Sequence, residues 1–209
     1  MDYITDFVRW FFDTVYDVPQ LIRTVGLLGL IVIVFAETGL LIGFFLPGDS
    51  LLITAGLFAA RGDFNVWVLV SVLTIAAIVG DATGYAIGKR TGKALYSRPN
   101  SLLFRQEHLR MTREYYERHG GKTIIFARFI PIVRTFAPVV AGVAEMGYAR
   151  FATYNVVGGI AWVTSCTLGG YLLGSVIPDI ESRIHLVVGV VIAVSLIPPV
   201  VAWLRSRRQ

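Results

Sequence analysis

Few ionisable side chains interrupt the long apolar runs of this sequence: Glu37, Asp49, Asp81, Arg128 and Arg134, with Glu145 close to the end of one run. A charge at the centre of a membrane helix costs about 2.5 to 3.5 kcal/mol on insertion scales, so one kept at depth faces a partner or a watered cavity and marks a pathway. Arg128 and Arg134 flank Pro131, and guanidinium is the cation suited to gripping phosphate through two parallel N–H bonds. Glu37 lies among Phe35, Ala36 and Leu40. Desolvation disfavours the charged form of a carboxyl group there, which makes Glu37 a candidate proton carrier. Together these residues point to a proton-coupled carrier of an anionic substrate.

Each also has a purely structural reading. Asp49, followed by Ser50, is able to N-cap a half-helix over 51–60. Arg128 is within reach of the headgroups if it snorkels past Lys122, and Glu37 suits a structural ion pair. Asp81, two turns from the basic segment, suits pairing with Lys89 or capping its own Gly-rich neighbourhood as well as it suits a role in transport. Gly84-x-x-x-Gly88 and Gly170-x-x-x-Gly174 are the spacing of close helix packing, with Tyr85 between the first two glycines.

The elements that must position these groups are membrane helices. Of the 209 residues 55% are hydrophobic and only 16% charged, where a soluble domain carries about a quarter of its residues charged. The net charge of +5 does not signal nucleic acid, because nine of the 19 Lys and Arg fall between Lys89 and Lys122. That basic segment, with Tyr115 and Tyr116 among its arginines, suits an anionic lipid surface. The single cysteine, Cys166, excludes an intrachain disulfide and a thiolate metal cluster. Residues 1–25 mix aromatics with Asp2, Asp6, Asp13 and Asp17, the wrong sign for a signal peptide, and read as an interfacial amphipathic helix.

Runs over 64–88, 151–177 and 186–204 are long enough to span a bilayer as helices, at about 20 residues per crossing. Two others are broken. The run from Leu27 to Ala60 is interrupted by Pro47-Gly48-Asp49-Ser50, and the run from Thr123 by Pro131 and Pro138. Broken helices at membrane depth must line protein or a watered cavity, so the segments at about 36–60 and 123–148 read as re-entrant hairpins. The stretch 27–45 is long enough to span or to form one hairpin arm.

A shift of 86 residues lays Ala55-Gly56 on Ala141-Gly142 and Gly84-Tyr85-Ala86-Ile87-Gly88 on Gly170-Tyr171-Leu172-Leu173-Gly174. Broken helix plus span, repeated, is a transporter pattern. The basic segment 89–122 and the tail with Arg205, Arg207 and Arg208 are expected on the cytoplasmic side, which makes the two copies inverted. Asp49 and Arg134 then occupy equivalent hairpin tips and are expected to meet near the midplane. The fold class is thus an all-α polytopic membrane protein, with a hairpin-plus-span repeat, an N-terminal amphipathic helix and a C-terminal span at 186–204.

Three stretches resemble the hallmark segments of the bacterial DedA family, related to VTT-domain membrane proteins: Glu37 to Gly56, Gly80 to Gly92, and Phe126 to Gly142. Similarity covers about 25–180. The resemblance implies an inner-membrane, multi-pass protein with two re-entrant hairpins that works as a proton-motive-force-linked transporter or flippase. Undecaprenyl phosphate recycling is proposed for some members and lipid scrambling for distant VTT relatives. The family's important acidic pair matches Glu37 and Asp49, and its arginine pair matches Arg128 and Arg134.

An enzyme is not expected. His108, His119 and His185 all lie outside the apolar runs, and no H-E-x-x-H, G-x-S-x-G, P-loop or Cys/His metal spacing occurs. No cofactor, metal or nucleic-acid partner is expected; the partners are protons and membrane lipids, anionic phospholipid or polyprenyl phosphate, with a homo-oligomer open. The rival readings are a membrane-organising scaffold and a proton-coupled carrier of a small ion or solute. The charge count generates a topological expectation: cysteines placed at residues 95–118 should react with membrane-impermeant maleimide only from the cytoplasmic face. Labelling from outside would reverse the orientation.

Overall fold

The computed structural model of the chain describes residues 18–40, 48–96, 124–125 and 128–176. The expected interfacial helix as far as residue 17, Pro47 at the first hairpin tip, the basic segment from 97 to 122 and the span at 186–204 lie outside these residues. What is described is helical: α1 Val18–Gly39, α2 Gly48–Ala60, α3 Val66–Tyr96, α4 Pro131–Val143 and α5 Tyr148–Val176. Among the described residues three helices are long and apolar enough to cross a membrane: Val18–Gly39, Val66–Gly92 and Tyr148–Val176. The protein is a helical membrane protein.

The helix limits differ from the sequence reading for local reasons. α1 begins at Val18, with Pro19 in its first turn where a missing N–H costs nothing, and so runs through the boundary placed at residue 25. A kink remains there, because Gly26 adopts φ 58°, ψ −160°, a backbone state open to glycine. The start of α3 is fixed by Asn65, whose Oδ1 accepts from the N–H groups of Trp67 at 3.0 Å and Val68 at 3.2 Å. Its end lies eight residues beyond the 88 expected, at Tyr96. Lys89, Arg90 and Lys93 are good helix formers, so the first part of the basic segment is helix rather than loop. α4 opens on Pro131 and carries Pro138 inside it, which leaves the Arg134 carbonyl without its usual donor four residues on.

The chain divides into two compact units. In the first (Met1–Ile33, Phe45–Leu73 and Val163–Gln209), α2 runs parallel to the second half of α5 with backbones almost touching. A Cβ on Gly56 would fall on the Thr167 carbonyl, and one on Gly170 would fall on the Ile53 carbonyl. Arg23 and Arg61 lie over the Phe58 ring at 5.7 and 5.3 Å.

The second unit (Val34–Phe44 and Thr74–Trp162) uses the same device between α4 and α3. A Cβ on Gly142 would fall on the Tyr85 carbonyl, one on Gly88 on the Val139 carbonyl, and one on Gly92 would stand 2.9 Å from Val143 Cα. α5 crosses the other way, Ile78 meeting Asn155 and Gly159 while Tyr85 meets Met146 and Phe151. Tyr85 stacks on Phe151 at 4.5 Å, donates its hydroxyl to the Met146 carbonyl and anchors a core of Ile124, Ala141, Ala144, Met146 and Phe151.

The glycine seams make a sharp contrast between neighbours. Gly170 touches the Ile53 backbone, whereas a Cβ on Gly169 meets nothing within 4 Å. Gly169→Ala should therefore leave thermal stability in detergent unchanged, while Gly170→Ala should cost about 1 to 3 kcal/mol as an overpacked contact. Equal melting points for the two variants would contradict this packing.

Candidate functional site

In the second unit four buried ionisable side chains come together from separate elements: Glu37 of α1, Asp81 of α3, Arg128 in the turn before α4 and Arg134 of α4. Their exposures of 1, 1, 2 and 4% leave no route to solvent for any of the four charges, so each must be met inside the protein. Arg134 donates from Nη2 to Glu37 Oε1 at 2.6 Å. Its guanidinium also lies 4.3 Å from the ring centroid of Trp162, a cation–π contact midway along α5.

Arg128 is held by a different set. Its Nη2 donates both to Asp81 Oδ2 and to Asn155 Oδ1. The other end of the Asn155 amide is tied down, Nδ2 donating to the Ile78 carbonyl at 3.0 Å, so the amide presents its oxygen to the arginine. The Arg128 stem lies along bare backbone of α5. A Cβ on Gly158 would stand 2.9 Å from Arg128 Cδ, and one on Gly159 would stand 3.6 Å from Cζ. Both guanidinium groups act electrostatically on Asp81 and on each other. Among the described residues, Arg128 Nε and Nη1 and Asp81 Oδ1 are buried with no hydrogen-bond partner.

Several sequence expectations change here. Arg128 does not snorkel; it is 2% exposed and ion-paired within the unit. Asp81 takes Arg128 as its partner rather than Lys89, since α3 turns that face toward α5 and the turn before α4. The acid set on Arg134 is Glu37, 97 residues away in sequence, where the hairpin-tip argument pointed to Asp49. Asp49 belongs to the first unit, half-buried in the first turn of α2. It lies in the first turn of the helix, where its charge is favourable against the N-terminal end of the helix dipole. Gly48 opens that helix and is buried. Gly84, Tyr85, Gly88 and Gly142 are packing residues of the second unit.

Asn155, Trp162 and the pair Gly158-Gly159 were not singled out from sequence. The signals were an amide and a mid-span Trp in an apolar run, where Trp ordinarily marks the interface. Among the described residues no group of three or more His, Cys, Asp or Glu is placed to hold a metal ion.

Comparison with known proteins gives a consistent set of relatives. The VTT domain family profile matches residues 46–172. Protein DedA of Escherichia coli K12 is 50% identical over 181 residues, 86% of this chain and 82% of that protein. An uncharacterized membrane protein of Mycobacterium leprae is 42% identical over 180 residues, 86% of this chain and 80% of that one. Inner membrane protein YqjA of Escherichia coli K12 is 36% identical over 151 residues, 69% and 66% of the two chains. No solved structure matches the chain.

The ion pairs predict strong coupling between their members. Asp81→Asn leaves a buried guanidinium without its counter-charge and Arg128→Gln leaves a buried carboxylate, each expected to cost about 3 to 5 kcal/mol. The double variant should lose clearly less than the sum of the two. Additive losses in thermal or chemical denaturation would mean the pair is not a unit.

Proposed function

The chain belongs to the DedA family of VTT-domain membrane proteins, and from that premise we propose that it is a proton-linked carrier or flippase. Its substrate on this reading is a membrane lipid with an anionic phosphate headgroup, such as a phospholipid or a polyprenyl phosphate of the undecaprenyl type. The protein works in the bacterial inner membrane and supports envelope homeostasis. The observation that carries the reading is the state of Arg128. A guanidinium has five N–H donors. Nη2 spends two on Asp81 and Asn155, while among the described residues the donors on Nε and Nη1 are buried and unmatched. A phosphate group offers several acceptors to such donors at once.

Coupling follows from competition at Arg134. While Glu37 is ionised it holds the guanidinium at 2.6 Å. When Glu37 takes up a proton the pair weakens, and Arg134, still seated on Trp162, is available to an anion. Departure of the anion favours loss of the proton and re-formation of the pair. Asp49, on α2 in the other unit, is a second proton-coupling candidate. Alternating access is read as exchange between two copies of a hairpin-plus-span repeat entering from opposite faces. Its support is that α2 on α5 and α4 on α3 pack by the same glycine contacts, displaced by four residues along the spans relative to the sequence repeat. Residues 89–122 and the C-terminus are placed in the cytoplasm on the positive-charge count.

No catalytic nucleophile enters this scheme, and the protein is read as a carrier rather than an enzyme. A membrane-organising scaffold is the competing reading, in which both ion pairs only tie distant helices together. Reconstitution separates the two. Purified protein in liposomes should move phospholipid or polyprenyl phosphate between leaflets, faster with an imposed proton gradient, and a scaffold should move none. Glu37→Gln keeps the shape of the side chain and removes its titration, so the folded variant should lose the gradient dependence. Gradient-driven movement at the unaltered rate in that variant would make Glu37 purely structural.

A further inference from the structure

On the second unit, with none of the four buried charges in its lining, a cavity of about 410 Å³ opens between α3 and the start of α5. It is lined by Ala82, Tyr85, Ala86, Lys89, Arg90 and Tyr148. Two of these are cations and none is an acid. The lining is graded along the helix. Ala82 and Ala86 form a shallow apolar floor one turn apart, and Lys89 and Arg90 stand exposed one turn further on. The apolar span of α3 ends at Gly92, which puts the two cations within its last turn, at the depth where hydrocarbon gives way to headgroups. The Tyr85 and Tyr148 rings, 5.6 Å apart and tilted, form the wall, and the Tyr85 hydroxyl is already committed to Met146. The volume lies within the range of about 300 to 1,000 Å³ usual for small-molecule sites.

An occupant of this cavity must be apolar at its deeper end and anionic at the surface. We infer that the cavity is a binding site for the phosphate headgroup of an anionic phospholipid, with Lys89 and Arg90 on the phosphate and the glycerol and first acyl carbons laid over Ala82 and Ala86 against the tyrosine wall. Charge complementarity selects an anionic over a zwitterionic lipid, and the apolar floor selects a lipid over free phosphate. The site is separate from the Arg128 and Arg134 cluster and holds whether or not the protein moves lipids.

The test uses the full chain in detergent micelles, with phosphatidylglycerol titrated and bound lipid counted by native mass spectrometry. Replacing both Lys89 and Arg90 by Gln should weaken phosphatidylglycerol binding roughly 30-fold, at about fivefold per basic residue facing an anionic lipid, and leave phosphatidylcholine binding unchanged. Ala86→Trp fills the cavity without touching a charge, on an exposed helix position that accepts a large side chain. It should weaken phosphatidylglycerol binding too, which a merely basic surface would not show. Excess inorganic phosphate should not displace the lipid. Undiminished phosphatidylglycerol binding in either variant overturns the site, as does displacement by inorganic phosphate, which would make it a free-anion site. Because neither variant alters Glu37, Arg128 or Arg134, leaflet-to-leaflet movement in the same preparations reads the proposed function independently. Lost movement with intact lipid binding, or the reverse, identifies which of the two has failed.

Discussion

The structure of the second unit depends on one constraint: a guanidinium removed from water must be neutralised and hydrogen-bonded where it stands. Arg128 and Arg134 satisfy it in different ways. One takes a carboxylate and an amide, the other a carboxylate and an indole face. Each solution draws in a separate helix, so the pairs specify which faces of α1, α3 and α5 can meet around α4. Removing one partner, which leaves the other charge uncompensated in such a site, costs more than the intact pair contributes, which makes these contacts strong determinants of arrangement and weak sources of net stability. The ring of Trp162 matters on both counts, since it holds a cation without supplying a charge.

Much of this was legible in the sequence, and the limits are instructive. Four of the ionisable residues in apolar runs, Glu37, Asp81, Arg128 and Arg134, do form one cluster, because the cost of burying charge in lipid leaves few other uses for them. The partners were not legible. Sequence spacing put Asp49 and Arg134 at matching positions, but pairing depends on which helix face turns inward, and the separation of 97 positions between Glu37 and Arg134 carries no periodicity that reports it. Asn155 escaped because a neutral amide does not announce itself by charge. Its role exists only once Ile78 and Arg128 are placed on either side of it.

The glycines show the same division. Gly56, Gly88, Gly142 and Gly170 stood out by spacing, and each lies where a Cβ would meet backbone. What spacing did not reveal is which helices these glycines bring together, α2 on α5 and α4 on α3. Gly158 and Gly159 differ from these in that they also admit a side chain, the stem of Arg128. A long charged residue therefore lies along bare helix backbone, though less closely than one helix lies on another at Gly56 or Gly170.

Contact through bare backbone also divides the surface of the protein by how freely it can drift over evolutionary time. At the seams there is no alternative residue, since even alanine intrudes. On α1, α3 and α5, by contrast, Leu28, Val32, Trp67, Ile75, Val157, Ile160 and Leu172 are exposed. Among the described residues they are not part of the packed core, so a swap of one apolar side chain for another is registered weakly there. A lineage adapting to a thicker, thinner or more fluid membrane can rewrite that outer coat residue by residue while the glycine contacts and the buried charges stay fixed.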